Sequence, residues 1–160
     1  MKLLIDTNII LDYLMKREPW AEAAQEIILA IAEEKIEGYI TANSLTDIYY
    51  LLRKHLGKKE QAKHVLTGLI EIIKILDVNG ADCEKALKLD MTDFEDALLI
   101  CCGERNKVDH IVTRNLKDFE GSPISVSEPD AILKKLQSGD RQESSHLDQH
   151  QKPFNFTKNL

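Results

Sequence analysis

The feature that most constrains the fold of this chain is an alternation of short apolar runs with longer amphipathic stretches. Apolar or β-favouring runs recur along the sequence, at 2–5, 39–42, 75–78, 110–113 and 124–126. Between them, apolar residues recur every three or four positions, which is typical of helices that bury one face. Strands that alternate with helices pair in parallel through crossover connections. The sequence therefore predicts an α/β fold with a central, mainly parallel sheet and helices on both faces.

Polar residues at the junctions indicate where the helices begin. Asp6 ends the first apolar run, and Thr7 and Asn8 can cap the helix that follows. In the same way, Asn43-Ser44 can cap the helix after the second run, and Thr92 can cap the helix 93–106. In open α/β sheets, ligands bind beyond the carboxyl ends of the strands, which is where these junctions lie. Polar side chains at these positions are therefore candidate site residues.

Composition limits the class of protein. A chain of 160 residues with 43% hydrophobic residues can form one domain with a full core. We predict that this domain spans residues 1–137, because residues 138–160 are polar, lack periodicity and are expected to be disordered. The net charge of −6 argues against nucleic-acid binding by broad electrostatic attraction, but it does not exclude a nucleic-acid enzyme whose acids are masked by metal.

The cysteines and the hydropathy pattern bear on location. The three cysteines, Cys83, Cys101 and Cys102, show no metal-ligand spacing, and the adjacent pair lies in an apolar run where a reduced thiol packs as a small hydrophobe. No apolar stretch approaches the roughly 18 to 20 residues of a membrane span. We therefore expect a cytoplasmic protein without a membrane segment.

Acidic residues recur at the predicted carboxyl edge of the sheet. Asp6 ends the first strand, Asp47 lies near the start of the helix after the second, and Asp93 and Asp96 lie three residues apart at a later helix start. Asp118 follows the fourth strand. Each acid alone is also explained by helix capping, a turn or the helix dipole.

Acids gathered at one edge would repel one another unless a cation neutralises them. Carboxylate ligands without Cys or His suit Mg²⁺ or Mn²⁺. The matching chemistry is hydrolysis of phosphodiesters by a metal-activated water. The sequence thus predicts a magnesium or manganese site at this edge.

Four segments in order resemble the PIN domain family, in its prokaryotic branch that includes VapC-type toxins. They are Leu3-Leu4-Ile5-Asp6-Thr7-Asn8, Ser44-Leu45-Thr46-Asp47-Ile48-Tyr49-Tyr50, Asp93-Phe94-Glu95-Asp96-Ala97-Leu98 and Val112-Thr113-Arg114-Asn115-Leu116-Lys117-Asp118-Phe119. The resemblance covers roughly residues 1–136. It implies a three-layer α/β/α fold, Mg²⁺- or Mn²⁺-dependent endoribonuclease activity, frequent homodimerisation and, for a toxin, an antitoxin partner.

The resemblance also assigns roles to individual residues. Asp6, Asp47 and Asp96 match the catalytic, metal-binding acids of the family. Asn8 and Ser44 would orient a carboxylate or a metal-bound water. Asp93 would be an extra metal-binding acid from the same helix.

Two departures from the family pattern leave an alternative open. Asp47 stands where the family often has glutamate, and Asn115 stands where a fourth acid is common, although Asp118 could compensate as a metal ligand. A chain with a weakened site would be a catalytically weak or inactive PIN-like module that binds RNA or protein.

Basic residues and spare apolar faces suggest contacts with partners. Arg114 and Lys117, beside the acids, either contact RNA phosphates or are solvated surface charges. The apolar stretches 27–31 and 49–52 are candidate faces for a homodimer.

Overall fold

The computed structural model describes the backbone of residues 1–147 and the side chains of residues 1–138. In this part of the chain, five strands alternate with seven α-helices and one 3-10 helix. In chain order these are β1 Lys2–Ile5, α1 Thr7–Met15, α2 Ala21–Ala32, β2 Glu37–Thr41, α3 Ala42–Leu56, α4 Lys59–Ile72, β3 Lys74–Leu76, α5 Gly80–Ala86, α6 Phe94–Asn106, β4 His110–Val112, the 3-10 helix Leu116–Phe119, β5 Ser125–Ser127 and α7 Pro129–Leu147.

The strands form one sheet in the order β3-β2-β1-β4-β5, and every neighbouring pair is parallel. The central strand β1 pairs with β4 in a register that sets Ile5 opposite Val112. Because all strands point the same way, their carboxyl ends lie at one edge of the sheet. The predicted parallel sheet is confirmed, and the residues that follow β1 and β4 are neighbours at that edge.

Apolar layers cover both faces of the sheet. Alternate residues of β1 serve the two sides, since Leu3 and Ile5 pack in one cluster and Leu4 packs in another. The first cluster takes its helical residues from α1, α2, α3, α4 and α7, while the second includes Leu99 and Ile100 of α6. The predicted three-layer α/β/α architecture is confirmed.

Helix starts differ in detail from the predictions. The helix α3 begins at Ala42, and the hydroxyl of Thr41 accepts the hydrogen bond from the Ser44 amide, so the predicted cap by Asn43-Ser44 was wrong. Asp93 rather than Thr92 caps α6. In each case the residue in extended conformation just before the helix has a side-chain oxygen that reaches the exposed amides of the first turn, and this geometry selects the cap.

The last helix extends further than predicted. The sequence predicts order up to residue 137, whereas α7 continues to Leu147. Its added segment, 138–147, contains no proline, the residue that most strongly disfavours the interior of a helix. Residues 148–160 lie outside the described part of the chain, so the predicted disorder there stays a prediction.

The predicted dimer faces are largely used inside the fold. Ile27, Ile28 and Ile31 of α2 are buried, as is Leu52 of α3, because these helices pack against the sheet and against other helices. The prediction that these stretches are spare was therefore wrong for most of their residues. Within these two stretches, the large apolar side chains that remain exposed are those of Leu29 and Tyr50.

No helix in residues 1–147 combines the length and apolar character needed to cross a membrane.

Candidate active site at the carboxyl edge of the sheet

Asp6 lies at the centre of the carboxyl edge, directly after β1. Its amide donates to the carbonyl of Val112 at 3.0 Å, which holds it beside the end of β4. Its carboxylate Oδ2 accepts hydrogen bonds from the hydroxyl of Thr113 at 2.7 Å and from the side-chain amide of Asn8. Asn8 also donates to Thr113 Oγ1 at 3.0 Å. The hydrogen bond from Asn8 to Asp6 supports the predicted orienting role of Asn8, which itself stays a prediction.

The environment of Asp6 makes its charge costly without a cation. Burial raises the pKa of Asp6 above its usual range, although the hydrogen bonds from Thr113, Asn8 and Thr7 and the charge of Arg114 lower it. A carboxylate that is buried and held by two side-chain donors can bind a cation without first reorganising.

The start of α6 brings three acids to the same edge. Asp93 Oδ1 accepts hydrogen bonds from the amides of Glu95 at 2.7 Å and of Asp96 at 3.4 Å, so this oxygen is used in capping the helix. Glu95 accepts a hydrogen bond from the hydroxyl of Thr7 at 3.4 Å, which joins the start of α6 to the start of α1.

Asp96 has the strongest electrostatic signature of the site. Burial, the largest cause, and the charges of the surrounding acids Asp6, Asp93, Asp118 and Glu95 together raise its pKa to about 7. The acids that follow β1, begin α6 and lie in the 3-10 helix are thus close enough to Asp96 to repel its charge. The structure therefore brings these sequence-predicted residues together.

Asp47 approaches the cluster from α3. It is half-buried, it accepts a hydrogen bond from Asn43 at 3.4 Å, and its charge contributes to raising the pKa of Glu95, although burial of Glu95 is the larger cause. Ser44, in contrast, is fully buried, and its hydroxyl pairs with that of Thr41 at 2.9 Å. Its role in orienting an acid stays a prediction.

The segment after β4 contributes exposed polar groups. Asn115, Lys117 and Asp118 are exposed, and the amide of Asn115 donates to Thr113 Oγ1 at 3.0 Å. Arg114 differs from them: its Nε lies 2.8 Å from Oδ2 of buried Asp12, and its guanidinium lies 4.1 Å from the ring centroid of Trp20. The predicted RNA contacts of Arg114 and Lys117 stay predictions.

Two residues that the sequence analysis did not assign to the site belong to it. Thr113 is fully buried, and its hydroxyl donates a hydrogen bond to Asp6. The pKa of Glu95 is raised by burial and by the charges of Asp47, Asp6 and Asp93. The strand register could have indicated Thr113, since it follows β4 as Asp6 follows β1. Glu95 had no comparable signal, because an acid in a helix first turn is common for reasons of the dipole.

The donor atoms of this site fit a hard divalent cation. In residues 1–138 no three His, Cys, Asp or Glu side chains are placed to enclose one ion. The carboxylate oxygens of Asp6, Asp47 and Asp96 are nevertheless the ligand type that Mg²⁺ and Mn²⁺ prefer. A bound cation would remove the repulsion that contributes to the raised pKa of Asp96.

Fold and site together define an α/β/α domain with an acidic site at the carboxyl edge of a parallel sheet. A family profile described as the PIN domain matches residues 2–117. The chain therefore belongs to the PIN domain family.

Known proteins resemble the chain over most of its length. Ribonuclease VapC1 of Aquifex aeolicus (strain VF5) is 25% identical over 130 residues, which covers 78% of this chain and 88% of that protein. The structure of VapBC2 from Rickettsia felis bound to a promoter DNA fragment has a TM-score of 0.63 at 19% identity, covering 80% of this chain and 98% of that chain.

A further structure, VapC20 of Mycobacterium tuberculosis, is described as a Sarcin-Ricin loop cleaving toxin. It has a TM-score of 0.55 at 14% identity and covers 68% of this chain and 86% of that chain. At these identities the solved structures support the fold.

Proposed function

We propose that this protein is a metal-dependent endoribonuclease that hydrolyses RNA phosphodiester bonds in the cytoplasm, as the toxin of a toxin–antitoxin pair. The observation that carries the proposal is the convergence of acids from β1, α3, α6 and the 3-10 helix on one edge of the sheet. Family membership and the resemblance to a ribonuclease support it.

In this proposal Asp6, Asp47 and Asp96 are the catalytic acids and would hold Mg²⁺ or Mn²⁺. When bound, the ion supplies an activated water and stabilises the developing negative charge on the phosphate. Asp93 and Asp118 form a looser second set of ligands, with Asn115 supporting them through its amide oxygen. Thr113 and Asn8 hold the Asp6 carboxylate in place.

Substrate binding by an acidic protein needs local positive charge. Lys117 is exposed on the 3-10 helix beside Asp118, so it can reach a phosphate of the RNA backbone. Because the chain carries a net charge of −6, we expect few phosphate contacts and a shallow dependence of RNA affinity on salt.

The substitution Asp6→Asn tests the proposal. It keeps the size of the side chain but removes the charge that a cation needs, so Mn²⁺-dependent cleavage of labelled RNA should fall at least about 100-fold. The matched control is Asp109→Asn, which removes one charge at the opposite edge of the sheet, where Asp109 accepts a hydrogen bond from the Lys2 amide at 2.7 Å. Full cleavage by Asp6→Asn, measured beside that control, would contradict the assignment.

The second candidate is a PIN domain that binds RNA or protein without cleaving it. It is favoured by Asn115 at the position of a fourth acid and by the lack, in the described residues, of a group that encloses an ion. Wild-type protein that binds RNA but leaves it intact in Mn²⁺ would support this candidate over the nuclease.

An antitoxin and a second copy of the chain are the proposed protein partners. The Rickettsia felis structure contains a VapBC pair bound to DNA, which supports the search for an antitoxin. Co-expression with the product of the adjacent reading frame, followed by light scattering of the purified protein, measures both the pair and the homodimer.

A further inference from the structure

A buried carboxylate outside the acidic site has no hydrogen bond. Asp12 lies on α1 and is fully buried, and within residues 1–138 neither of its carboxylate oxygens accepts a hydrogen bond. Its partners are cations: Arg114 Nε at 2.8 Å and Arg17 Nη1 at 3.9 Å. A buried charge neutralised only by ion pairs contributes little net stability, because desolvation offsets the attraction. Net stability therefore does not explain why Asp12 and Arg114 are paired in the interior.

Arg114 is held on two sides. Its guanidinium pairs with Asp12 and lies 4.1 Å from the ring centroid of Trp20, within the range of a cation–π contact. Its side chain is 23% exposed, which is less than expected for a surface cation. These contacts occupy the group that would otherwise be available for RNA phosphate.

The backbone of Arg114 connects this pair to the acidic site. The residue before it, Thr113, donates to Asp6, and the Arg114 amide donates to Asn8 Oδ1 at 3.4 Å. The residue after it, Asn115, begins the segment that carries Asp118. The segment 113–118 thus carries, at its second residue, a side chain that is anchored on α1.

We propose that Arg114 is a positioning residue: Asp12 and Trp20 hold its guanidinium, and this anchor fixes segment 113–118 against α1 so that Thr113 and Asp118 keep their places at the acidic site. The inference rests on the proposed nuclease function for its kinetic consequence. Its structural consequence does not depend on cleavage. In this arrangement the guanidinium of Arg114 anchors the segment 113–118 and does not contact RNA.

Steady-state cleavage of a fluorophore–quencher RNA oligonucleotide in Mn²⁺ tests the kinetic consequence. Misplacing site groups by about 1 Å costs up to about 100-fold in rate. We therefore expect Asp12→Asn and Arg114→Gln each to lower kcat about 10- to 100-fold with KM changed less than about threefold. The matched comparison is Lys117→Gln, which should raise KM because it removes the proposed contact with an RNA phosphate. If Arg114→Gln instead raises KM as Lys117→Gln does, Arg114 contacts RNA and the inference is overturned.

The double variant Asp12→Asn/Arg114→Gln tests whether the two residues act as a unit. Since removing either partner releases the anchor, the double variant should be no slower than the slower single variant. Multiplied losses would mean that the residues act separately and would overturn the inference. Trp20→Leu removes the ring that contacts Arg114, so it should also lower kcat. Because Trp20 is 45% exposed, this substitution should not unfold the core.

Amide hydrogen exchange separates failure of the inference from failure of the proposed function. In Asp12→Asn and in Arg114→Gln, exchange in 113–118 should accelerate at least about tenfold, while exchange in β1 stays as in the wild type. This measurement needs neither RNA nor metal. A wild type that cleaves no RNA refutes the proposed function alone, whereas unchanged exchange in segment 113–118 refutes the anchor. If Asp12→Asn and Arg114→Gln fail to fold, the same hydrogen exchange is measured on Trp20→Leu.

Discussion

Asp96 shows how the tertiary fold changes the chemistry of a single side chain. Its position three residues after Asp93 made it a candidate from the sequence, but its pKa of about 7 results from burial together with charges from distant segments. Near neutral pH, Asp96 would therefore carry a proton in about half of the metal-free molecules, and a divalent cation must displace that proton.

This raised pKa predicts a pH-dependent stability of the metal-free protein. Because the pKa of Asp96 is higher in the folded state than in the unfolded state, its stabilising effect is complete below about pH 4 and is lost as the pH rises through about 7. Asp96→Asn should remove this dependence. Since Asp96 is only half-buried, solvent screening limits the effect. We expect the free energy of unfolding of Asp96→Asn at pH 8 to be higher than that of the wild type by about 1 kcal/mol.

Urea unfolding in EDTA at pH 5 and pH 8 measures this effect. Asp109→Asn is the control for loss of one charge. A wild type whose stability relative to Asp96→Asn is the same at both pH values would refute the raised pKa.

Thr113 marks the limit of prediction from sequence at this scale. Its hydrogen bond to Asp6 joins residues 107 positions apart. Nothing local in the sequence distinguishes this threonine from one that merely favours a strand. The pairing of β1 with β4 is needed to make it part of the site.

At the scale of the elements, α6 packs closely against its neighbours at Gly103. A Cβ added at Gly103 would lie 2.7 Å from Ile124 Cδ1 and 3.1 Å from Val108 Cγ2. The helix can pack this tightly only because residue 103 lacks a side chain, and its start carries Asp93 and Asp96 to the site.

Gly103→Ala should therefore destabilise the protein by about 1–3 kcal/mol through overpacking, despite the better helix propensity of alanine. The matched control is Gly68→Ala on α4, where an added Cβ meets no atom within 4 Å. That substitution should stabilise by up to about 1 kcal/mol. Urea unfolding of both variants checks the pair, and equal effects at the two glycines would contradict the tight packing of α6.

At this scale the sequence was most informative about elements and least informative about their ends. Periodicity located the strands and helices, because it reflects which faces are buried. The predicted cap of α3 and the predicted end of α7 were wrong. A cap depends on the backbone conformation of one residue, and the end of a helix depends on small differences in propensity.

At the scale of the whole molecule, the acidic edge predicts that stability depends on divalent metal. A cation that binds the folded state alone adds a free energy that grows with the logarithm of its concentration. Millimolar Mn²⁺ should therefore raise the free energy of unfolding of the wild type by about 1–3 kcal/mol. EDTA should reverse the gain.

Thermal unfolding of the wild type, Asp6→Asn and Asp109→Asn with and without Mn²⁺ measures this gain. Asp6→Asn should lose most of the shift in Tm, and Asp109→Asn should keep it. An equal shift in all three proteins would place metal binding elsewhere in the molecule.

The sequence by itself determined the α/β class, the parallel sheet and the edge at which Asp6 and Asp96 lie. These follow from local patterns, since the period of apolar residues defines each element, and strands joined through helices pair in parallel. Only the tertiary structure decided which side chains meet: Thr113 with Asp6, and Arg114 with Asp12 rather than with solvent. Such contacts depend on strand register and helix packing between distant segments, which no local pattern encodes.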